Sequence, residues 1–415
     1  MIGDGFGPAM ATFTRTLKGS PLAIDGYVIG TVSTKSANRL ITDSAAAATA
    51  MATGVLTKNR GIGIFENGTA AGTILEAAIE AGVSCGMVVT SPIHHATPAG
   101  FSAHANSRYS EDFITKQQLQ KGIKVMFGGG ANYYNLPDNR LLAEEMGYHI
   151  INDTSQLNST QLPALGVFAY DGLPFEVDRL NQPEQFKHVP SLLEMATRAL
   201  ELFKEEDNEK GFFLLIEGSE IDWAGHNNDP VAMYYESLQL DQTFEMVMEF
   251  AKKDNDTLVI LTADHETGGL GIGYHYSNDP GDPYSWEPQV ILKSKGSSEY
   301  IANKLLPLNG SLLYSTFTEY TGIIPSVEDK LELDNAKNFS EMYHAISLIV
   351  SKTARMGWTT DQHTAIDVNM VGYGPLVTHF CGNQHSNQIA TKIANIFEWD
   401  LELITSRLRH FNTTP

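Results

Sequence analysis

Phe-Phe-Leu-Leu-Ile-Glu-Gly-Ser-Glu-Ile-Asp-Trp-Ala-Gly-His, residues 212–226, carries the strongest indication of the chain's architecture. Its first five residues form an apolar run with polar neighbours, which is typical of a short strand buried in a parallel sheet. Asp222 and His226 are four residues apart, so a helical turn would place both side chains on one face, where they could bind one metal ion. An isolated pair of this kind is more often structural, and it decides nothing by itself.

Similar apolar runs recur along the chain. They cover residues 86–90, 123–127 and 258–262. Helical patterns lie between them: Ser191 and Glu194 form a capping box before an apolar stripe, and Asp229 with Pro230 gives an N-cap followed by a favoured proline. This alternation predicts an α/β fold with a mostly parallel central sheet and helices on both faces.

The alternation is lost from about residue 268 to residue 357. Here aromatic, proline and glycine patterns predict short strands and turns, at residues 274–276, 278–283 and 305–307. We expect residues 268–357 to be an insertion over the sheet, within a single domain that spans residues 1–415.

Composition limits the classes of partner. The chain of 415 residues is 42% hydrophobic and 19% charged, as in a globular protein, and no apolar run approaches the ~18 to 20 residues of a membrane span. With 28 Lys and Arg against 49 Asp and Glu, the net charge is −21, which argues against nucleic acid or an anionic membrane surface as a partner. An anionic substrate would need a local positive centre, which bound metal supplies most naturally.

Ser44 opens an Ala-rich helix that ends at Gly54. A hydroxyl at a helix N-terminus faces unpaired N–H groups and the positive end of the helix dipole, which stabilise an alkoxide or a phosphate. Serine and aspartate are also the ordinary N-cap residues, so Ser44 taken alone is most simply a cap.

Chemically active side chains recur where the apolar or glycine-rich runs end, and these are Asp4, Glu217, Asp264 and His265. Because ligands bind at the carboxyl ends of strands in an open α/β sheet, we expect these side chains to meet at one edge. Mixed His and Asp ligands suit zinc, whereas an all-oxygen set suits magnesium. Two metals about 4 Å apart can clamp the attacking and leaving oxygens of a phosphoryl transfer.

The order of these motifs resembles that of the alkaline phosphatase family. The motifs that carry the resemblance are residues 43–45 (Asp-Ser-Ala), residues 217–226, and residues 262–269 (Thr-Ala-Asp-His-Glu-Thr-Gly-Gly). The last of these matches the family's most specific signature, and the resemblance extends from Asp4 to His363. It implies an alkaline-phosphatase-like α/β fold in which residues 268–357 form the inserted crown-type region.

The resemblance also implies a metal centre. Its implied ligands are Asp222, His226 and His363 for one zinc ion, Asp4, Asp264, His265 and Ser44 for a second, and Asp4, Thr97 and Glu217 for a magnesium ion. Ser44 is then the nucleophile. Arg108, otherwise taken for a surface arginine, would grip the phosphate through a bidentate guanidinium contact that lysine cannot copy.

Two positions depart from the pattern of some family members. His95 stands where some carry an aspartate ligand, and Trp223 stands where some carry lysine. The affinity and the metal identity of the third site therefore stay open: His95 either acts through water or holds a zinc ion. Structural roles are expected for four other histidines near the motifs, His94, His104, His379 and His385.

The implied function is that of an alkaline phosphatase, a phosphomonoesterase that hydrolyses many phosphate monoesters at alkaline pH through a phosphoserine intermediate. A phosphodiesterase or a sulfatase on the same scaffold is one alternative. Neither Cys85 nor Cys381 occupies the nucleophile position of a sulfatase, and a diesterase should lack an arginine like Arg108. A metal- or phosphate-binding protein that has lost catalysis is the other alternative, although every chemical position is filled.

A periplasmic or secreted location is implied by the resemblance, since phosphate scavenging works outside the cytoplasm, and a homodimer is implied as well. No signal peptide is recognisable in the sequence, and its two cysteines form no disulfide framework. The family has a full strand before the Asp4 motif, so the chain is expected to begin within that strand.

Overall fold

The computed structural model describes residues 1–276 and 284–415. The strands are Ile2–Gly3 (β1), Val28–Ser33 (β2), Ser84–Pro92 (β3), Val125–Gly129 (β4), His149–Ile151 (β5), Ala164–Val167 (β6), Phe212–Gly218 (β7), Val259–Leu261 (β8), Glu266–Thr267 (β9), Leu270–Ile272 (β10), Met356–Trp358 (β11), His363–Thr364 (β12), Val368–Tyr373 (β13) and Gly382–His385 (β14).

The helices are Pro8–Lys18 (α1), Ser44–Thr53 (α2), Ile74–Glu80 (α3), Ala96–Ser102 (α4), Glu111–Gln120 (α5), Ala131–Tyr134 (α6), Pro137–Glu145 (α7), Glu176–Asn181 (α8), Pro183–Phe186 (α9), Leu192–Glu206 (α10), Glu220–His226 (α11), Pro230–Asp254 (α12), Ser298–Leu305 (α13), Gly310–Thr321 (α14), Val327–Asn335 (α15), Phe339–Thr353 (α16), Asn387–Ile396 (α17) and Leu401–Arg407 (α18). Among the described residues, no helix combines the length and the apolar character needed to cross a membrane.

The central sheet is parallel. Its strands pair in the order β1-β7-β3-β4-β6-β5, and all of these pairs run in the same direction. A second sheet, in the order β14-β2-β13-β8, continues it, because the Gly3 N–H donates to the Thr262 carbonyl at 2.9 Å and the Thr262 N–H donates to the Met1 carbonyl at 3.2 Å. Only β13 runs antiparallel to its neighbours in this second sheet as described. The joined sheet is therefore mostly parallel, as predicted.

Helices cover both faces of the sheet. Successive residues of a strand point to opposite sides, and on β3 the Cys85 thiol donates to the Leu75 carbonyl of α3 at 3.8 Å. Gly86 faces the other side, where a Cβ atom would lie 2.9 Å from the Phe203 ring of α10. Glycine at this position lets α10 pack directly on the sheet.

The four predicted strands are present. Residues 86–90 lie in β3, residues 123–127 overlap β4, residues 212–216 lie in β7, and residues 258–262 contain β8. The prediction that all four are parallel strands is confirmed for β8 as well, because Thr262, which follows it, forms a parallel bridge with Ile2 of β1, while β13 on the other side is the antiparallel strand. The Ile260 carbonyl of β8 also accepts from the Met1 amino group at 2.6 Å, so β8 lies where the parallel sheet joins the second sheet.

Both predicted helix starts are confirmed. The Ser191 hydroxyl accepts from the Glu194 N–H at 3.1 Å, and the Glu194 carboxylate accepts from the Ser191 N–H at 2.7 Å, at the start of α10. Asp229 caps α12 by accepting from the Val231 N–H at 2.8 Å. These caps satisfy N–H groups that a first helical turn leaves unpaired.

The secondary structure of residues 268–357 differs from the prediction. In its described part, residues 268–357 are mainly helical, since α13 to α16 lie between the antiparallel strands β10 and β11. Residues 274–276 follow β10 without joining a strand. Leu305 ends α13, and residues 306–307 form a turn, as predicted. Residues 278–283 lie outside the described residues. Turn-forming residues dominated the sequence pattern of residues 268–357, so its helical apolar period was not recognised. In α16 this period appears as the buried residues Met342, Ile346 and Ile349.

Hydrogen bonds connect the N-terminus of α13, within residues 268–357, to the rest of the protein. The Ser297 N–H donates to Asp178 at 2.7 Å, and the Ser298 N–H donates to Asp229 at 2.6 Å. Because Asp229 also caps α12, the N-terminus of α13 is joined to the helix that packs beside β7 and β8.

Candidate active site

Three carboxylates meet at the carboxyl ends of neighbouring strands. Asp4 follows β1, Glu217 lies at the end of β7, and Asp264 follows β8, and each is 0% exposed. The Asp4 N–H donates to the Gly218 carbonyl at 3.1 Å, and Asp264 Oδ1 accepts from the Gly5 N–H at 3.1 Å. The structure thus brings these residues together at one edge of the sheet, where parallel strands present their ligands.

Few hydrogen-bond donors of the described residues reach these three carboxylates. Within residues 1–276 and 284–415, both oxygens of Asp4, both oxygens of Glu217 and Asp264 Oδ2 lack a hydrogen-bond partner. Burial, followed by Asp264 and Asp222, raises the pKa of Asp4 well above its usual range. Burial and Asp264 raise the pKa of Glu217 to about 8. Buried charge of one sign is costly without a cation, so this donor set fits metal ions.

Asp222, His226 and His363 form one candidate metal group. Asp222 Oδ2 lies 3.4 Å from His226 Nε2, one turn away on α11, and β12 brings His363 Nε2 to 3.1 Å from His226 Nε2. The Nδ1 atoms of the two histidines lie 2.6 Å from the Asp361 carbonyl and 2.8 Å from the Thr42 carbonyl, respectively. A carbonyl only accepts, so each Nδ1 carries a proton, which leaves Nε2 as the nitrogen through which each ring can bind a metal ion.

A second candidate group consists of Asp4, Asp222 and His265. His265 Nε2 lies 3.6 Å from Asp4 Oδ1 and 3.1 Å from Asp264 Oδ2, so the set expected for the second zinc ion is close together. Asp222 belongs to both groups, which the sequence did not indicate. The rings of His265 and His363 stack with their centroids 3.5 Å apart, so the two groups lie side by side.

Ser44 is the first residue of α2, and its neighbour Asp43 is the N-cap. Asp43 Oδ1 accepts from the Ala46 N–H at 3.0 Å, so the simple interpretation of Ser44 as the cap is wrong. The buried Ser44 hydroxyl instead lies 3.2 Å from His265 Nε2. It therefore stands beside the second candidate group and at the positive end of a helix dipole.

Arg108 lies beside Asp43 and His95. Its Nη2 donates to His95 Nε2 at 2.9 Å, and its Nη1 lies 3.5 Å from Asp43 Oδ2. The guanidinium is thus held next to the residue that precedes Ser44, as a phosphate-binding role requires.

His95 also contacts Trp223, with ring centroids 6.0 Å apart and an edge-to-face arrangement. Burial and the charge of Arg108 lower the pKa of His95 to about 3, so its ring is neutral and accepts from Arg108 through Nε2. In the described part of the chain, its Nδ1 is buried without a hydrogen-bond partner. The observed contact of His95 is therefore with the candidate phosphate-binding arginine.

Thr97 is fully buried in α4. The hydroxyls of Thr97 and Ser219 both act to lower the pKa of Glu217, against the effect of burial. Within the described residues, neither hydroxyl has a well-formed hydrogen bond. Asp4, Thr97 and Glu217 thus offer unpaired oxygens, which magnesium prefers as ligands.

Sequence reasoning missed the roles of Glu266 and Thr267, although both lie in the signature of residues 262–269. The Thr267 hydroxyl donates to Asp222 Oδ1 at 2.5 Å and lies 3.2 Å from His265 Nδ1. Its one proton goes to the carboxylate, so His265 Nδ1 carries a proton and donates, which leaves the lone pair on Nε2. Glu266 accepts from the Gly269 N–H at 2.9 Å and from the Thr364 hydroxyl, which fixes the strand of His363.

Four histidines near the motifs lie outside both candidate groups in the described residues, and these are His94, His104, His379 and His385. His104 is buried, with Nδ1 2.6 Å from the Gly63 carbonyl and Nε2 2.9 Å from Glu76. Cys85 is buried and Cys381 is exposed, and both are free thiols in the part of the chain that is described.

Comparisons with known proteins identify the family. The sequence model of the alkaline phosphatase family matches residues 1–399. The alkaline phosphatase of Schizosaccharomyces pombe is 36% identical, over 99% of this chain and 82% of its own length. The structure of a cold-active alkaline phosphatase from the psychrophile Shewanella sp. gives a TM-score of 0.87 at 33% identity, over 95% of this chain and 98% of that one.

A third relative bears on the metal content of the family. This is a histidine-to-aspartate mutant of the alkaline phosphatase from the Antarctic bacterium TAB5, with Mg bound in its M3 site. It is 25% identical with a TM-score of 0.71, over 96% of each chain. By sequence and by structure, this chain belongs to the alkaline phosphatase family.

Proposed function

We propose that this hydrolase acts on a broad range of phosphate monoesters at alkaline pH, through a phosphoserine intermediate on Ser44, and releases inorganic phosphate. Its family supports phosphomonoesterase activity in general. The observation that carries the proposal is the buried Ser44 hydroxyl, 3.2 Å from His265 Nε2 and next to two histidine–carboxylate groups.

Three metal ions fit the donor atoms. The proposed ligands are Asp222, His226 and His363 for one zinc ion, Asp4, Asp264, His265 and Ser44 for a second, and Asp4, Thr97 and Glu217 for a magnesium ion. The unpaired buried oxygens of Asp4, Glu217 and Asp264 support this assignment. Mg in the M3 site of the TAB5 mutant supports magnesium at the third site, and His95 leaves another metal as the alternative. When bound, the ions lower the pKa of the Ser44 hydroxyl and offset charge on the phosphoryl oxygens.

The protein's own residues would carry two displacement steps. Ser44 Oγ loses its proton and attacks phosphorus, the bond to the ester oxygen breaks, and the leaving group departs as the protonated alcohol. Water then attacks the phosphoserine, which breaks the bond between phosphorus and Oγ, releases phosphate and restores the serine hydroxyl. Arg108 binds two phosphoryl oxygens in both steps, and its contact with His95 keeps the guanidinium in place.

A broad substrate range follows from where the proposed contacts lie. Ser44, Arg108 and the metal ligands all address the phosphoryl group, which is the same in every monoester. Alkaline conditions favour the loss of the Ser44 proton. We therefore expect the rate to depend weakly on the size of an uncharged leaving group and to rise towards alkaline pH.

Replacement of the nucleophile tests the proposal. Ser44→Ala should lower kcat on a monoester by about three orders of magnitude or more, while zinc and magnesium content, measured by mass spectrometry, stays near the wild-type level. Acid quenching with a labelled substrate should leave phosphate on Ser44 in the wild type. The matched control is Ser347→Ala, which truncates another buried serine on α16.

Unchanged turnover in Ser44→Ala, or label on another residue, would refute the phosphoserine mechanism. Rates on a monoester, a diester and a sulfate ester under the same metal conditions would separate the proposed activity from its relatives.

We also propose a periplasmic or secreted location and a homodimeric state, with small phosphate monoesters as the partners and no nucleic acid among them. The family membership and the net charge of −21 support these assignments. Cell fractionation and multi-angle light scattering test the location and the oligomeric state.

A further inference from the structure

Arg60 has a backbone conformation that favours glycine. Its φ is +75°, in the left-handed region where a Cβ atom crowds the following carbonyl. The Arg60 N–H donates to Asp43 Oδ2 at 2.9 Å, and its carbonyl accepts from the Arg108 N–H at 2.9 Å. A glycine would make the same two bonds with less strain. The strain therefore accompanies the side chain, which points to a role for the guanidinium.

The two backbone bonds place Arg60 at the candidate active site. Asp43 precedes the proposed nucleophile and caps its helix, and Arg108 is the proposed phosphate-binding residue. The guanidinium of Arg60 lies over the ring of Tyr109, with its Cζ 5.7 Å from the ring centroid. Tyr109 follows Arg108 directly and is 66% exposed. This cation–π contact holds a second guanidinium against the residue that follows Arg108.

The charge around Arg60 contrasts with that of the whole protein. The net charge is −21, but residues 34–60 contain four basic residues and one acidic residue, Asp43. The two loops that carry most of these charges are joined, because the Ala37 N–H donates to the Thr57 carbonyl at 2.8 Å and the Asn59 N–H donates to Asn38 at 3.0 Å. The loops beside Ser44 are thus a local positive surface that attracts anions.

We propose that Arg60 and Tyr109 form a leaving-group subsite that favours monoesters whose leaving group carries a second phosphate. The inference rests on the proposed function and extends it to a class of preferred substrates, the bisphosphates. While one phosphate is transferred to Ser44, the other binds the Arg60 guanidinium through charge-assisted, bidentate hydrogen bonds. The cation–π contact with the Tyr109 ring restricts the positions that this exposed guanidinium takes up.

The test compares kcat/KM for 1,4-butanediol bisphosphate and butyl phosphate, because both have primary alkoxide leaving groups and differ in the second phosphate. The ratio of the two values should fall about ten-fold in Arg60→Gly and less in Arg60→Lys, which keeps the charge but not the fork. In Tyr109→Leu it should fall about two- to three-fold. Added salt should lower the wild-type ratio more than that of Arg60→Gly.

Stability provides an independent check on these variants. Arg60→Gly relieves the left-handed strain, so its thermal midpoint should equal or exceed that of the wild type, and a lower ratio cannot come from unfolding. The matched control is Arg140→Gly, which removes an exposed arginine from α7 on another surface, and its ratio should equal that of the wild type.

A ratio in Arg60→Gly equal to the wild-type ratio would overturn the subsite. If the wild type failed to hydrolyse butyl phosphate, the proposed function would be refuted independently of the subsite. The same ratio, taken from the dissociation constants of the two compounds by calorimetry, would then still decide whether Arg60 binds the second phosphate.

Discussion

Arg108 is held in place before any substrate binds. Its guanidinium donates to His95 at 2.9 Å and lies 3.5 Å from Asp43, so little side-chain entropy is lost when a phosphoryl group arrives. Lysine presents its donors from a single nitrogen atom and cannot reproduce the planar fork of the guanidinium. Arg108→Lys should therefore lower kcat/KM on a monoester about 100-fold, measured with the metal content checked in the same sample.

Another paired arginine serves as the control for this substitution. Arg15 makes a two-point contact with Asp25, with Nε 2.7 Å from Oδ2, on a helix remote from Ser44. Arg15→Lys should leave kcat/KM unchanged. An Arg108→Lys enzyme with wild-type kcat/KM would remove Arg108 from phosphate binding.

At the scale of single residues, the sequence predicts positions at strand ends better than contacts between them. Asp4, Glu217 and Asp264 were predictable, because parallel strands end at one edge and the residue types there were chemically active. The placement of His363 rested on resemblance, since no local pattern shows that β12 pairs with β9. Asp222 belongs to both candidate metal groups because of tertiary packing, which the spacing of residues in the sequence does not show.

At the scale of helices, Glu76 joins three parts of the fold. It caps α3 with Thr73, whose N–H donates to Oε2 at 3.0 Å, while Oε1 accepts from Lys121 at 2.7 Å and lies 2.9 Å from His104 Nε2. Glu76→Gln removes the charge but keeps the shape. We expect the free energy of unfolding at pH 7 to fall by about 2 kcal/mol, measured by urea denaturation.

The pH dependence of this effect follows from the pKa of Glu76. Burial would raise it, but hydrogen bonds and charges from His104 and Lys121 lower the pKa of Glu76 well below its usual range. A carboxyl with a lowered pKa contributes its stability above the pKa of the unfolded chain and loses it as the pH falls below that value. The difference between wild type and Glu76→Gln should therefore shrink by about 1 kcal/mol at pH 3.5.

Glu80→Gln, on the same helix, is the control, because its carboxylate pairs with Arg407 at the surface. It should cost less than about 1 kcal/mol. An equal loss in both variants, or a difference for Glu76→Gln that does not change with pH, would contradict the role of Glu76.

The helices also show where sequence patterns fail. The helix starts at Ser191 and Asp229 were predictable, since a capping residue and an apolar stripe point to the same element. In the insertion the signals conflicted. Glycine and proline near residues 278–283 indicated turns, whereas the apolar period of α16 indicated a helix, and tertiary burial of that face decided the outcome.

At the scale of the whole molecule, we expect metal binding to be coupled to folding, because Asp4, Glu217, Asp222 and Asp264 are buried together beside the carboxyl ends of the joined sheet. Without cations these carboxylates repel one another, and burial together with this repulsion raises the pKa of Asp4 and of Glu217. Metal removal by a chelator should lower the thermal midpoint by at least about 5 °C in calorimetry, and zinc with magnesium should restore it. The thermal midpoint of Glu217→Gln should fall less on chelation and rise less when metal is added back, because one buried charge is absent. The midpoint of Glu80→Gln should change as that of the wild type does. If the thermal midpoint of the wild type did not change on chelation, the buried carboxylates would need no metal for stability.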